Sequence, residues 1–232
     1  MSMKPILFNT EMVRAILDGR KTVTRRIVKP QPKTTTQYPL GFCGGSTDRK
    51  MEGCFVFGLD EYGGSISYAK PLCKVGDILY VRETQSIHRV NDKGNKFVRV
   101  HYKADDSAMD FRVSDSEWYR LVKYDYTDEQ FISPYWTTKE TCRLFLKVTD
   151  VRVEGLQDIT EEQAKAEGCI DFNDKIGNSK FDDVMELDLT ARDAFAELWD
   201  STVKEDWQKF ASSPWVWVIE FERCERPEGW GE

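Results

Sequence analysis

Ile16-Leu17-Asp18-Gly19-Arg20-Lys21-Thr22-Val23-Thr24-Arg25-Arg26 is the stretch on which the reading of this chain turns. Just before and within it, Met12, Val13, Ile16 and Leu17 fall on one face of a helix that Asn9 or Thr10 can cap. Gly19 then stops the helix, because glycine enters the left-handed conformation at no steric cost. The next residues pack four cations and two hydroxyls into Gly19 to Arg26, and they are expected to form a loop held over a pocket. Lys21 sits among Arg20, Arg25 and Arg26, where like charges and partial burial favour a neutral amine. Such an amine can take the proton of the Thr24 hydroxyl, and Arg26 offers a place for an anionic or carbonyl oxygen. A carboxylic acid would complete the set; Glu83 and Glu167 are the candidates, each at the end of a predicted element. The same residues also suit a solvated helix exit, whose cations meet the negative end of the helix dipole.

Outward from this stretch the chain alternates strands, loops and short helices. Lys4 to Phe8 reads as a strand, and residues 29–72, rich in Pro, Gly, Thr and Ser, read as an insertion with a hairpin at Phe55-Val56-Phe57. Lys74-Val75-Gly76-Asp77 is a turn, and Ile78 to Glu83 alternates as a half-buried strand does. A further strand is predicted at Phe97 to Tyr102. Residues 104–141 lack sustained periodicity and belong to a second insertion, near 84–141. Leu144 to Val153 is the longest β-like run, with β-branched residues at its end. Thr160 with Gln163 forms a capping box, which predicts a helix from Glu161 to Glu167 stopped by Gly168. Another helix begins near Thr190 and carries Phe195, Leu198 and Trp199 on one side. The last strand turns Trp215, Trp217, Ile219 and Phe221 to one face and Val216, Val218 and Glu220 to the other. These elements predict an α+β fold with a small barrel-like sheet and flanking short helices, a single domain over residues 1–232.

Composition narrows the function classes. With 40% hydrophobic and 31% charged residues the chain can bury a core, and no apolar run is long enough to cross a bilayer. Met1 to Asn9 lacks the pattern of a cleavable leader, so a cytoplasmic location is expected. The six cysteines include no Cys-x-x-Cys pair, and only His88 and His101 could join them; neither a metal nor a cofactor is expected. The net charge of −7 argues against coating nucleic acid by bulk attraction. Residues 1–36 nevertheless carry +6 against −13 for the remainder, a local positive site suited to one phosphate or nucleotide.

The Ile16 to Arg26 segment resembles the signature of the ASCH domain, a relative of the PUA domain of RNA-modifying proteins. The resemblance continues through Lys74-Val75-Gly76-Asp77-Ile78-Leu79, Leu156-Gln157-Asp158-Ile159-Thr160-Glu161-Glu162-Gln163-Ala164 and Trp217-Val218-Ile219-Glu220-Phe221. Tyr80-Val81-Arg82-Glu83-Thr84 and Leu198-Trp199-Asp200-Ser201 are similar to the longer form found in phages and prophages. The resemblance implies a PUA-like β-barrel with a cleft, here enlarged by the two insertions. It also implies an amidohydrolase that removes the acetyl group of N4-acetylcytidine, with Lys21, Thr24 and Glu167 catalytic and Arg20, Arg25, Arg26 and Glu83 binding the substrate. Its partners would be a modified nucleoside or RNA, with no membrane. A non-catalytic RNA-binding or phage–host interaction module is the alternative, and a ribonuclease the third. Arg112, Trp118, Tyr119, Arg120, Tyr124, Tyr126, Tyr135 and Trp136 of the second insertion could stack on bases or form that insertion's own small core.

Overall fold

The computed structural model describes residues 2–32, 38–44, 51–59, 66–92, 95–122, 131–170, 190–228 and 230. Among them are eleven strands and four α-helices, a mixed α+β architecture. Their strand pairings include no closed barrel. The chain forms two compact units, one made of residues 1–21, 76–148 and 221–232, the other of 22–75 and 149–220.

In the first unit β1 (Met3–Leu7) runs parallel to β6 (Ile78–Arg82), with Met3 opposite Ile78 and Leu7 opposite Arg82. The start of β10 (Phe145–Gly155) pairs antiparallel on the other side of β6, Phe145 facing Tyr80. Helix α1 (Thr10–Leu17) follows β1, capped by the Asn9 side chain and closed by Gly19 at φ 76°, and it buries Val13, Ala15 and Ile16. The second insertion supplies a separate sheet, β7 (Gln85–Asp92), β8 (Asn95–Tyr102) and β9 (Ala108–Arg112), with helix α2 (Asp115–Val122) beside it. Ile87, Val98, Val100, Tyr102, Phe111, Val113, Leu121 and Ile132 form its core, and Trp118 packs against them. The insertion therefore has a core of its own, built mostly from aliphatic residues. Tyr119, Tyr135 and Trp136 stay exposed, while Tyr124 and Tyr126 lie outside the described residues.

In the second unit β2 (Val23–Ile27) pairs antiparallel with β11 (Trp215–Cys224), which neighbours β10. Helices α3 (Glu161–Ala166) and α4 (Ala191–Thr202) pack on one face, where Val23, Leu156, Ile159, Ala164, Phe195, Trp199, Val216 and Val218 are buried together. Glu161 of α3 accepts hydrogen bonds from the backbone N–H groups of Ala191 and Arg192 at 2.6 and 3.1 Å, satisfying donors that the first turn of α4 leaves open. The first insertion contributes the sheet β3 (Tyr38–Phe42), β4 (Phe55–Gly58) and β5 (Ser67–Ala69). Its Phe55 meets the buried Trp217 ring edge-on at 5.9 Å.

Candidate functional site

β2 determines how the cation-rich segment is presented. The ladder with β11 sets Thr24 opposite Ile219, Arg25 opposite Val218 and Arg26 opposite Trp217. Successive side chains of a strand point to opposite faces, so Thr24 and Arg26 share one face and Arg25 belongs to the other. The expected loop is therefore confined to the residues before Val23: Thr24, Arg25 and Arg26 are strand residues, fixed by a hydrogen-bonded ladder.

On the first face Arg26 Nη1 donates to Thr24 Oγ1 at 2.7 Å and to the Arg25 carbonyl at 2.9 Å. The buried Thr24 hydroxyl accepts from a cation and keeps its own proton to donate; a guanidinium beside that oxygen favours negative charge developing on it. Burial pulls the Arg26 guanidinium below its ordinary pKa, and the charge of Glu167 acts in the opposite sense. Arginine remains protonated through such shifts. Trp217, across the ladder from Arg26, lies 6.2 Å from the half-exposed Phe42 ring with their planes 22° apart.

On the second face the Arg25 side chain has no exposed surface. Its Nη2 donates to Gln163 Oε1 at 2.9 Å and to Glu154 Oε2 at 3.2 Å, and its Nη1 reaches Glu167 Oε1 at 3.5 Å. The guanidinium carbon is 5.9 Å from the Phe195 ring centroid. Glu167 is buried at the C-cap of α3, where Gly168 at φ 94° ends the helix. A guanidinium enclosed in this way holds Glu167 in place and is not presented to a substrate, the role expected of Arg25. Gln163 has two tasks: its Oε1 also accepts the Thr160 backbone N–H at 3.0 Å. In sequence Gln163 is legible only as a cap. Its spacing of four from Glu167, which puts both on one side of α3, is the signal that ties it to the site.

The remaining predicted residues belong to the first unit. Arg20 forms an exposed pair with Asp18 at 2.9 Å. Lys21 is buried; its backbone N–H donates to the Ala15 carbonyl at 2.9 Å, and its ammonium lies 5.5 Å from the Phe8 ring centroid. Glu83, expected to bind substrate, has both carboxylate oxygens engaged by Arg143, at 2.9 and 3.0 Å. Arg143 also reaches Asp105 at 2.8 Å and Ser107 at 2.6 Å, and it stacks 3.9 Å from the Tyr102 ring centroid. Burial pushes the Glu83 carboxyl up by more than Arg143 pulls it down. This cluster is internal to the second insertion and its border, and Arg143 carries no sequence signal of its own.

Among the described residues no group of three or more His, Cys, Asp or Glu side chains could hold a metal ion, and no helix is long and apolar enough to cross a membrane. Compared with protein-family models, curated proteins and solved structures, the chain matches none.

Proposed function

We propose that the chain is an ASCH-type amidohydrolase with a PUA-like core, acting on an N4-acylated cytidine. The observation that carries this proposal is the buried Thr24 hydroxyl held at 2.7 Å by Arg26, in the same unit as a buried glutamate, Glu167, anchored by Arg25. Lys21, three residues ahead of Thr24, removes the hydroxyl proton. Thr24 Oγ1 then bonds to the acyl carbon, and Arg26 stabilises the oxyanion that forms. The bond between the acyl carbon and N4 breaks as Glu167 gives a proton to the departing amine. Water hydrolyses the resulting threonine ester and releases the carboxylic acid. Phe42, half-exposed and resting on the buried Trp217, supplies aromatic surface against which the base can stack.

Incubation of the purified protein with N4-acetylcytidine tests the reaction directly. Cytidine and acetate should appear, and Lys21→Ala should abolish them; absence of cytidine with the native chain, or full turnover in Lys21→Ala, defeats the proposal.

A second reading is favoured by one observation. Tyr135 and Trp136 are 64% and 61% exposed, with rings edge-to-face at 5.0 Å, a surface on which RNA bases can stack. A binding module of this kind predicts salt-sensitive RNA affinity that falls in Tyr135→Ala and Trp136→Ala, with no bond cleaved.

A further inference from the structure

The chain has two histidines, and both line one cavity. In the β7–β8 ladder Ser86 stands opposite His101 and His88 opposite Arg99. Alternation therefore sends Ser86, His88 and His101 to the face away from Ile87, Val98 and Val100, which fill the core beneath. The turn after β8 folds back, the Asp106 N–H donating to the Tyr102 carbonyl at 3.0 Å, and Asp106 takes the left-handed conformation at φ 55°. On the other side Ile132 bridges to Gln85, which brings its neighbour Phe131, 43% exposed, alongside Ser86. These elements line a cavity of about 380 Å3, open to solvent and formed by Ser86, His88, His101, Tyr102, Asp106 and Phe131, within the size range of small-ligand sites.

The lining is chemically selective. Among the described residues the side chains of Ser86, His88, His101 and Asp106 make no hydrogen bond, whereas the Tyr102 hydroxyl already donates to the Thr141 carbonyl at 2.8 Å. The two imidazoles meet edge-to-face at 5.2 Å and both line the cavity, each neutral ring carrying one donor and one acceptor nitrogen. A simple anion would face the Asp106 carboxylate. An organic cation would compete with Lys103, whose ammonium already sits 5.2 Å from the Phe131 ring centroid. A flat neutral ring bearing exocyclic N–H groups meets neither obstacle: Phe131 gives it a face to stack on, Asp106 accepts the N–H, and Ser86 and the imidazoles complete the edge.

We propose that this cavity of the β7–β8–β9 sheet is a binding site for an amino-bearing nucleobase. It uses none of the residues assigned to acyl transfer and stands whether or not that activity exists. Cytidine and uridine 5′-monophosphates differ in the base by an exocyclic amine beside a ring acceptor against a carbonyl beside a ring N–H, and that difference is the test. Each is titrated into carbon-13-labelled protein while the two imidazole C–H signals are followed, assigned with His88→Gln and His101→Gln.

Cytidine monophosphate should shift both signals saturably, with uridine monophosphate about tenfold weaker, the equivalent of one good base-edge contact. Asp106→Asn and Phe131→Ala should each weaken cytidine monophosphate by about tenfold as well. Asparagine tolerates the left-handed backbone and Phe131 is exposed, so both variants keep the fold, which unchanged backbone amide spectra elsewhere would verify. Motionless imidazole signals, equal response to the two nucleotides, or wild-type affinity in Asp106→Asn overturns the proposal. Loss of the shifts in Lys21→Ala would also overturn it, by moving the binding to the acyl-transfer site.

Discussion

Glu83 in the first unit and Glu167 in the second are both buried glutamates resting on an arginine, and they differ in how fully that arginine is committed. Arg143 grips Glu83 with two bonds of 2.9 and 3.0 Å, a fork-to-fork arrangement that fixes both oxygens. Arg25 divides itself among Gln163 at 2.9 Å, Glu154 at 3.2 Å and Glu167 at 3.5 Å. The first pattern locks a carboxylate into the fold. The second spreads one guanidinium over three partners, of which Glu167 is the most distant. The residues alone make the two glutamates parallel candidates for the acid, whereas their arginine contacts differ.

The largest effect should come from breaking the tight pair. Arg143→Met leaves Glu83 buried without its cation and should cost about 3–5 kcal/mol, read as a fall in the urea midpoint. Glu167→Gln should lower turnover of N4-acetylcytidine about 100-fold with little change in that midpoint, since an amide still fills the site. Full turnover in this variant would make Glu167 as structural as Glu83 and erase the contrast. Gln163→Ala removes a cap and a bond to Arg25 at once, and a loss of about 1–2 kcal/mol is expected from thermal or urea unfolding.

The smallest effect is a pH dependence in a third pair, where no arginine is dedicated to either partner. Glu117 is pushed up from 4.5 to about 7, first by burial and then by the hydrogen bond and charge of Glu140, with Arg120 at 3.0 Å opposing. Its folded pKa lies above its unfolded one, so the native state binds the extra proton and stability falls as pH rises through the window from 4.5 to about 7. Melting curves across that range should show the decline in the native chain and a flatter profile in Glu117→Gln.

Much of the fold was legible because its signals are local. Asn9 and Gly19 bracket α1, Thr160 with Gln163 begins α3, and the alternation of Trp215 to Phe221 defines the two faces of β11. The strand character of Thr24 to Arg26 was hidden, because three polar residues in five show no apolar alternation and the partner residues lie 189 to 197 positions away in sequence. β7 and β9 were missed for a related reason: neither shows a sustained apolar alternation, and the strands are held by pairing with β8. In the site, Thr24, Arg26 and Glu167 could be named from sequence, but the enclosure of Arg25 and the Arg143 grip on Glu83 depend on which distant segments pack above each residue.

The counting of residues along β2 has an evolutionary consequence. Thr24 and Arg26 occupy even positions and Arg25 an odd one, and the ladder to β11 converts that parity into two sides of a sheet. Slipping β2 by one residue against β11 would exchange the sides. The brace of Glu167 would turn toward Trp217, and the hydroxyl would enter the layer of Leu156 and Phe195. Single substitutions can adjust the chemistry here, but a one-residue slip of register inverts it.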